Sequence, residues 1–211
     1  MHPSSSIRPL APSLSVHEIA DECRDVAVAF LNGAHSGWGK RELAAWLIGP
    51  YARATSYVRR GTVEPSFDGG SDIERAVSPT ALARVMDDAR SEVIATIGSL
   101  TVPEEGVAFA FAAISRALVV RCADELGDLG WAPFPPQRLR LADRLLSLVA
   151  VDYLARPLDY EQAFAVCERC GVVAFDTTAR SRGLCRRHLD SGVKWKEADT
   201  APFDLVPQRS A

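Results

Sequence analysis

The sequence predicts a mainly α-helical protein: a helical bundle with a treble-clef-like metal module, a short β-hairpin plus a helix, near its C-terminus. Apolar residues recur at steps of three and four in several segments between residues 15 and 158, which is the spacing of amphipathic helices. Serine or proline stands where several of these segments begin, as is common at the first turn of helices. Three cysteines and one histidine follow between residues 167 and 188 at the spacing of a structural zinc site.

A capping box predicts the start of the first helix. Ser15 and Glu18 stand three residues apart, so that each side chain can accept a hydrogen bond from a free amide of the first turn. The apolar residues behind them share one helical face: Ile19, Cys23, Val26, Ala27, Phe30 and Leu31. The dipeptide Asn32-Gly33 is typical of a helix end, so we expect the helix to stop there.

Two more helices are predicted before residue 100. The second is expected to run from about Arg41 to the Gly49-Pro50 pair, which interrupts or kinks it. Residues 61–72 contain proline and glycine without helical periodicity and are predicted to be a loop. Ser78-Pro79 then supplies an N-cap serine and a first-turn proline for a third helix that continues to Ile97.

The fourth helix is predicted to begin at Pro103 and to occupy the centre of the bundle. The run from Val107 to Cys122 is apolar on nearly every side of a helix, which is typical of a buried one. Two arginines interrupt the run, so we interpret it as a core helix and not as a membrane span. Gly127 to Pro136 is predicted to be a loop, and a fifth helix is expected from Leu139 to Tyr153.

Composition sets limits on the function. The formal charge is −3, from 24 basic and 27 acidic side chains, so no global field favours nucleic acid or a membrane, and such binding would have to be local. Cys23 and Cys122 stand among apolar residues and are interpreted as core thiols, not as a disulfide, which favours a reducing compartment. The N-terminus lacks the apolar run of a secretory signal, so we expect a cytoplasmic protein without a membrane partner.

The metal motif constrains the chemistry more tightly than any other feature. Cys167, Cys170, Cys185 and His188 follow the pattern C-x2-C-x14-C-x2-H, and three thiolates with one imidazole suit the tetrahedral preference of a structural Zn²⁺. Gly171 permits the tight turn of the first knuckle. All four positions around the ion would be filled by protein, which leaves no place for a substrate or an activated water, so we expect a protein that is not an enzyme.

Two resemblances follow from these residues. The segment from Arg182 to His188 resembles the second half of small treble-clef zinc modules with the signature R-G-L-C-x-x-H, which implies metal binding. The order Cys167, Cys170, Phe175, Asp176, Thr177, Arg182, Cys185 is similar to that of the bacterial CGNR zinc-finger proteins, as are Phe30-Leu31-Asn32 and residues 42–47. That resemblance implies a helical N-terminal domain and the role of a putative stress-induced, DNA-binding transcription regulator.

Basic residues around the motif suggest how it could act. The candidates for contacts with nucleic-acid phosphates are Arg180, Arg182, Arg186, Arg187, Lys194 and Lys196. The sequence favours a regulatory or adaptor protein whose partner is either nucleic acid or another protein. Two alternatives remain: a protein-interaction module in which zinc is purely structural, and a helical protein that binds a small molecule.

The predicted organisation has four parts. Residues 1–14 are expected to form a disordered lead-in and residues 15–158 an all-α domain. Residues 159–200 are expected to form the zinc-binding module, and residues 201–211 a flexible tail.

Overall fold

The computed structural model describes residues 15–57, 72–124, 126–134 and 139–190, together with the backbone of Arg8–Pro9. The remainder of the predicted lead-in, the predicted tail at 201–211, and the candidates Lys194 and Lys196 lie outside the described residues.

The described chain is mostly helical, as predicted. Its helices are α1 (Val16–His35), α2 (Lys40–Trp46), α3 (Ala52–Thr55), α4 (Asp72–Arg75), α5 (Pro79–Ser99), α6 (Pro103–Ser115), α7 (Leu141–Ala155), α8 (Pro157–Gln162), α9 (Thr177–Arg182) and α10 (Arg186–Asp190). A π-helical segment, Leu47–Tyr51, joins α2 to α3 around Pro50, where the sequence predicts an interruption. Among the helices of the described ranges, none combines the length and apolarity needed to cross a bilayer.

Within the residues that the structure describes, five short strands form two sheets. β1 (Arg8–Pro9) pairs in parallel with β2 (Val119–Ala123), and β2 pairs antiparallel with β3 (Leu129–Pro133). β4 (Phe164–Val166) and β5 (Val173–Phe175) form a separate antiparallel hairpin, in the register Phe164 to Phe175 and Val166 to Val173. This second hairpin frames the first cysteine pair.

Helix α1 begins as predicted but ends later. The Ser15 hydroxyl accepts a hydrogen bond from the Glu18 amide at 3.2 Å, and the Glu18 carboxylate accepts one from the Ser15 amide at 2.7 Å. The helix passes Asn32-Gly33 and continues to His35. Gly33 serves close packing and not termination, because a Cβ atom there would lie 1.9 Å from the Trp38 ring. The prediction that this dipeptide ends the helix is therefore wrong.

Helix α7 occupies the centre of the bundle. Twelve of its residues are buried, including Asp143, Ser147 and Asp152, and it packs against α1, α5, α6 and β3. A helix buried on every side has no solvated face, so its polar side chains must find partners within the protein.

The predicted central helix from Val107 to Cys122 is wrong in both position and extent. Helix α6 stops at Ser115, and a Schellman motif closes it: the Leu118 amide donates to the Ala113 carbonyl, and the Ala117 amide donates to the Ile114 carbonyl. Ala117 adopts the left-handed conformation, with φ of 54°, that usually indicates glycine.

The chain after this helix end forms strands instead. Val119–Ala123 continues as β2, and the predicted loop from Gly127 to Pro136 contains its partner β3. Helix α6 itself lies at the surface, where Val107 is 70% exposed and Phe111 is 72% exposed. The most apolar helix segment of the sequence is therefore not the most buried one.

A fully buried carboxylate ties α7 to its neighbours. The Asp152 side chain has no exposed surface, and its oxygens accept from Arg24 Nε at 2.8 Å, Arg156 Nη2 at 2.6 Å and Tyr160 Oη at 2.7 Å. Arg24 also reaches Asp159 on α8 at 2.7 Å, and Arg156 reaches Asp21 on α1. Two guanidinium groups and one phenol thus compensate the burial of the charge.

Asp152→Ala should lower the free energy of unfolding by about 3–5 kcal/mol, because it leaves two partly buried guanidinium groups without their counter-charge and the buried Tyr160 hydroxyl without its acceptor. Urea denaturation measures the change. Asp21→Ala removes an exposed partner of the same Arg156 and should cost less than about 1 kcal/mol. Equal losses in the two variants would show that the buried network does not hold α1, α7 and α8 together.

Candidate metal centre

The first knuckle lies between the two strands of the β4–β5 hairpin. Cys167 follows β4, its amide donates to the Val172 carbonyl at 2.9 Å, and its carbonyl accepts from the Gly171 amide at 2.7 Å. Gly171 has φ of +63°, so the turn uses the conformational freedom that the sequence indicates. The first strand of the hairpin therefore precedes the knuckle, and the second follows it.

The second half of the module is a helix, a glycine turn and a second helix. The Asp176 carboxylate caps α9 by accepting a hydrogen bond from the Ala179 amide at 2.7 Å. Gly183 ends α9 with φ of +65°. Its carbonyl accepts from the Glu168 amide at 2.9 Å, which ties the two halves together beside the cysteines.

These elements bring the four predicted ligands to one point. The Cys167 Sγ lies 3.3 Å and the Cys185 Sγ 3.4 Å from the His188 Nδ1, and the Cys170 and Cys185 sulfurs are 3.7 Å apart. All four donor atoms lie within 4.8 Å of one another. A tetrahedron with Zn–S bonds of ~2.3 Å and Zn–N bonds of ~2.0 Å has S–S edges of about 3.8 Å and S–N edges of about 3.5 Å. The three shortest separations given above are close to these edges, so the cluster is a geometrically plausible metal site.

The electrostatics of the sulfurs also suit a cation. Burial raises the pKa of Cys167, but hydrogen bonds from the Cys185 amide and the His188 ring outweigh it and bring the pKa down to about 6. Burial raises the pKa of Cys170, and the neighbouring sulfurs of Cys167 and Cys185 raise it further. Each sulfur thus makes ionisation of its neighbours less favourable. A divalent cation at their centre would compensate this repulsion and stabilise the thiolates.

The knuckle is anchored to the helical body by the end of α1 and by α5. The Asn32 amide group donates to the Val173 carbonyl at 3.0 Å and accepts from the Val173 amide at 2.8 Å. Arg90 Nη2 donates to the Gly171 carbonyl at 2.6 Å, and Arg90 Nε donates to the Leu31 carbonyl at 2.9 Å. Asn32 therefore extends the hydrogen bonding of β5 from a helix.

A second anchor joins the hairpin to the buried carboxylate network. The guanidinium of Arg24 lies 4.5 Å from the centroid of the Phe175 ring, at cation–π distance. Phe175 also meets Tyr160 edge to face, with ring centroids 5.0 Å apart. Two of the three partners of Asp152, Arg24 and Tyr160, thus also position Phe175, the last residue of β5.

Four of the six predicted nucleic-acid contacts lie in described residues, and all four are exposed. Arg180 and Arg182 lie on α9, and Arg186 and Arg187 lie on α10; we call these four side chains the basic surface. Within the described ranges none of the four forms an ion pair, although Asp176 and Asp190 are nearby in sequence.

Sequence reasoning finds the ligands but misses the anchors. Asn32 has the appearance of a helix-end residue, and Arg90 is one of many charged residues on the outer side of α5. Their role depends on contacts between distant parts of the sequence: Arg90 and Gly171 are more than eighty positions apart. Local sequence patterns do not encode such contacts. A half-buried asparagine side chain that extends the hydrogen bonding of a strand has no signature in one sequence.

In comparisons with family models, with curated proteins and with solved structures, the chain matches none. The resemblances drawn from the sequence therefore rest on the residues quoted for them. The described residues contain a Cys/His cluster that could hold a metal ion, and nothing in the comparisons identifies that ion.

Cys167→Ser should abolish stoichiometric zinc binding, because an alcohol replaces one of three thiolate ligands. The purified wild-type protein should carry about one equivalent of zinc per chain by elemental analysis. Cys122→Ala removes a buried thiol outside the cluster and should leave that ratio unchanged. A wild-type chain without zinc, or a serine variant that retains it, would contradict the assignment of the site.

Asn32→Ala should loosen the hairpin without removing the metal, because it deletes two hydrogen bonds to the Val173 backbone at a cost of roughly 1–3 kcal/mol. Hydrogen exchange at the Val173 amide should become faster while the zinc content stays at the wild-type level. Ser36→Ala removes an exposed hydroxyl that bonds only to the Asn32 carbonyl and serves as the control. Unchanged exchange in Asn32→Ala would show that this side chain does not anchor the hairpin.

Proposed function

We propose that this chain is a zinc-stabilised, non-enzymatic regulatory or adaptor protein that contacts nucleic-acid phosphates through the basic surface of its metal module. The observation that carries the proposal is the exposure of Arg180, Arg182, Arg186 and Arg187, none of which is ion-paired within the described residues. If the neighbouring carboxylates had formed ion pairs with these guanidinium groups, the arginines would not be available to a partner. The metal site would then have only a structural role.

Zinc has a structural role in this proposal. Cys167, Cys170, Cys185 and His188 would hold it, and four protein donors complete a tetrahedral shell. A complete shell leaves no position at which the ion could polarise a substrate or activate water, which is why the proposed function is not catalytic. The bound ion would fix the turn between the two short helices that carry the arginines.

The charge of the module supports phosphate contacts of limited strength. Residues 167–190 contain five arginines and three carboxylates. Three thiolates and one divalent ion add one further negative charge, so the module is left with one net positive charge. Because the rest of the chain is acidic overall, attraction would be short in range and strongly dependent on salt.

Arginine is the side chain best suited to this contact. Its planar guanidinium donates two parallel hydrogen bonds to a phosphate, and it stays charged at every physiological pH. Such contacts position a protein on a nucleic-acid backbone but do not read its sequence. The resemblance to the CGNR zinc-finger proteins favours duplex DNA as the nucleic acid and transcriptional regulation as the role.

The triple variant Arg182→Glu, Arg186→Glu, Arg187→Glu should lose binding to a fluorescent DNA duplex while keeping its zinc. Fluorescence anisotropy at several salt concentrations should give the wild type a steep salt dependence. Neutralising these arginines singly should lower the slope of log Kd against log salt by about one each. The matched control Arg41→Glu, Arg84→Glu reverses two exposed arginines outside the module and should bind as the wild type does.

Two outcomes would count against nucleic acid. Duplex binding that survives the triple reversal would place the contact elsewhere on the chain. No duplex binding by the wild type, together with a protein partner that is captured by the zinc-loaded chain and released on chelation, would favour the adaptor alternative.

A further inference from the structure

Helix α6 presents an apolar face to solvent. The exposed residues on this side are Val107, Ala108, Phe111, Ala112 and Ile114, which we call the α6 face. Val107 is 70%, Phe111 72% and Ile114 42% exposed. These residues recur at steps of three and four, so they form one continuous stripe along the helix. Contiguous exposed apolar surface of this kind indicates an interaction site.

The opposite side of α6 holds the helix on the protein through a narrow contact. Gly106 leaves space for the Tyr153 hydroxyl, which would lie 1.8 Å from a Cβ atom at that position. Phe109 meets the Tyr153 ring edge to face at 6.0 Å, and Ala113 is buried. The inner side thus packs on α7 through Gly106, Phe109 and Ala113, and the side chains of Val107, Phe111 and Ile114 lie on the solvent side.

We propose that the α6 face is the contact through which two copies of this chain associate, with the two α6 helices antiparallel. A two-fold pair presents the same surface from both copies, so the face must be complementary to itself. The α6 face has both large side chains and small ones, with Ala108 and Ala112 next to Phe111. Alanines let two helices approach to roughly 8–10 Å, and the larger side chains can then pack into the spaces beside them.

Charge at the two ends of α6 selects the antiparallel arrangement. Glu104 and Glu105 lie in the first turn, and Arg116 caps the last. Neither glutamate forms an ion pair within the described residues, and Arg116 is 54% exposed while its Nη2 contacts Asp143 at 3.0 Å. A parallel pair would bring the glutamates of both copies together, whereas an antiparallel pair brings glutamates to arginine.

The spacing of Glu105 and Arg116 fits the two-fold axis. The two residues are eleven positions apart, which is about three helical turns at ~3.6 residues per turn, so they lie on the same flank of α6. In an antiparallel pair, the two-fold axis lies in the interface and is perpendicular to both helices. The same flank of both helices then lies on the same side of the pair, while the two helices run in opposite directions. Glu105 of each copy therefore faces Arg116 of the other, at both ends, when Phe111 lies near the axis.

The size of the face sets the strength of association. Its apolar area is on the order of 400 Å² per copy, about half of the ~800 Å² per partner in a standard stable interface. We therefore expect a reversible dimer with a dissociation constant on the order of 10 µM. The inference goes beyond the proposed function and does not depend on it, since no residue of the basic surface takes part.

Sedimentation velocity of the zinc-loaded full-length chain, from about 1 to about 300 µM, tests the proposal. The wild type should shift from monomer to dimer over that range. Phe111→Glu should raise the dissociation constant at least ~100-fold, because it places two carboxylates at the apolar centre of the contact. The control Leu158→Glu alters an apolar residue of similar exposure, 63% on α8, and it should dimerise like the wild type.

A charge variant tests the orientation. Glu105→Arg should weaken the dimer about tenfold at low salt and less at high salt, because arginines then face each other at both ends. Circular dichroism and zinc content verify that each variant is folded. A wild type that stays monomeric at every concentration overturns the proposal. If the Phe111→Glu variant then also has a lower Tm than the wild type, another part of the same chain covers the α6 face. Dimerisation that survives Phe111→Glu overturns it as well, and insensitivity to Glu105→Arg overturns the antiparallel orientation.

Discussion

One buried carboxylate organises much of this fold. Asp152 lies on the most enclosed helix and cannot reach water, so its charge is tolerable only where Arg24, Arg156 and Tyr160 all reach it. Those three partners come from α1, from the end of α7 and from α8, so satisfying the charge fixes the positions of three helices. Arg24 and Tyr160 also contact Phe175, which extends the same constraint to the strand that leads into the metal module.

The metal module is therefore stabilised at two levels. Locally, the four donor atoms and the bond from the Glu168 amide to the Gly183 carbonyl hold the knuckle against the two short helices. Its own apolar cluster is small, with Cys167, Leu184 and Cys185 as the buried members, so a metal ion held by the four donors would supply most of the local stability. Beyond that, Asn32 and Arg90 bind the knuckle backbone to the body, and these contacts do not need the ion.

The parts of this fold that can be predicted are those determined by residues close together in the sequence. The start of α1, the helix that follows Ser78-Pro79 and the four ligands each follow from spacing within a short segment, and the structure contains them all. The end of α6 could not be predicted, because a Schellman motif with Ala117 in place of glycine leaves no signal. Strands β2 and β3 could not be predicted for a related reason. The apolar run has the pattern of a buried helix, whereas the strand Val119–Ala123 depends on pairing with Leu129–Pro133, which a local pattern does not show.

Coordination and surface chemistry are closely connected in the module. His188 is a candidate ligand, and Arg186 and Arg187 directly precede it on the same helical turn. Arg182 directly precedes Gly183, whose carbonyl accepts a hydrogen bond from the Glu168 amide of the first knuckle. The ion would thus fix the relative directions of these guanidinium groups without touching them. In the proposed function, four arginines would gain affinity for phosphates from their geometry more than from their total charge. An ion in a closed shell would then influence binding by holding these arginines in place.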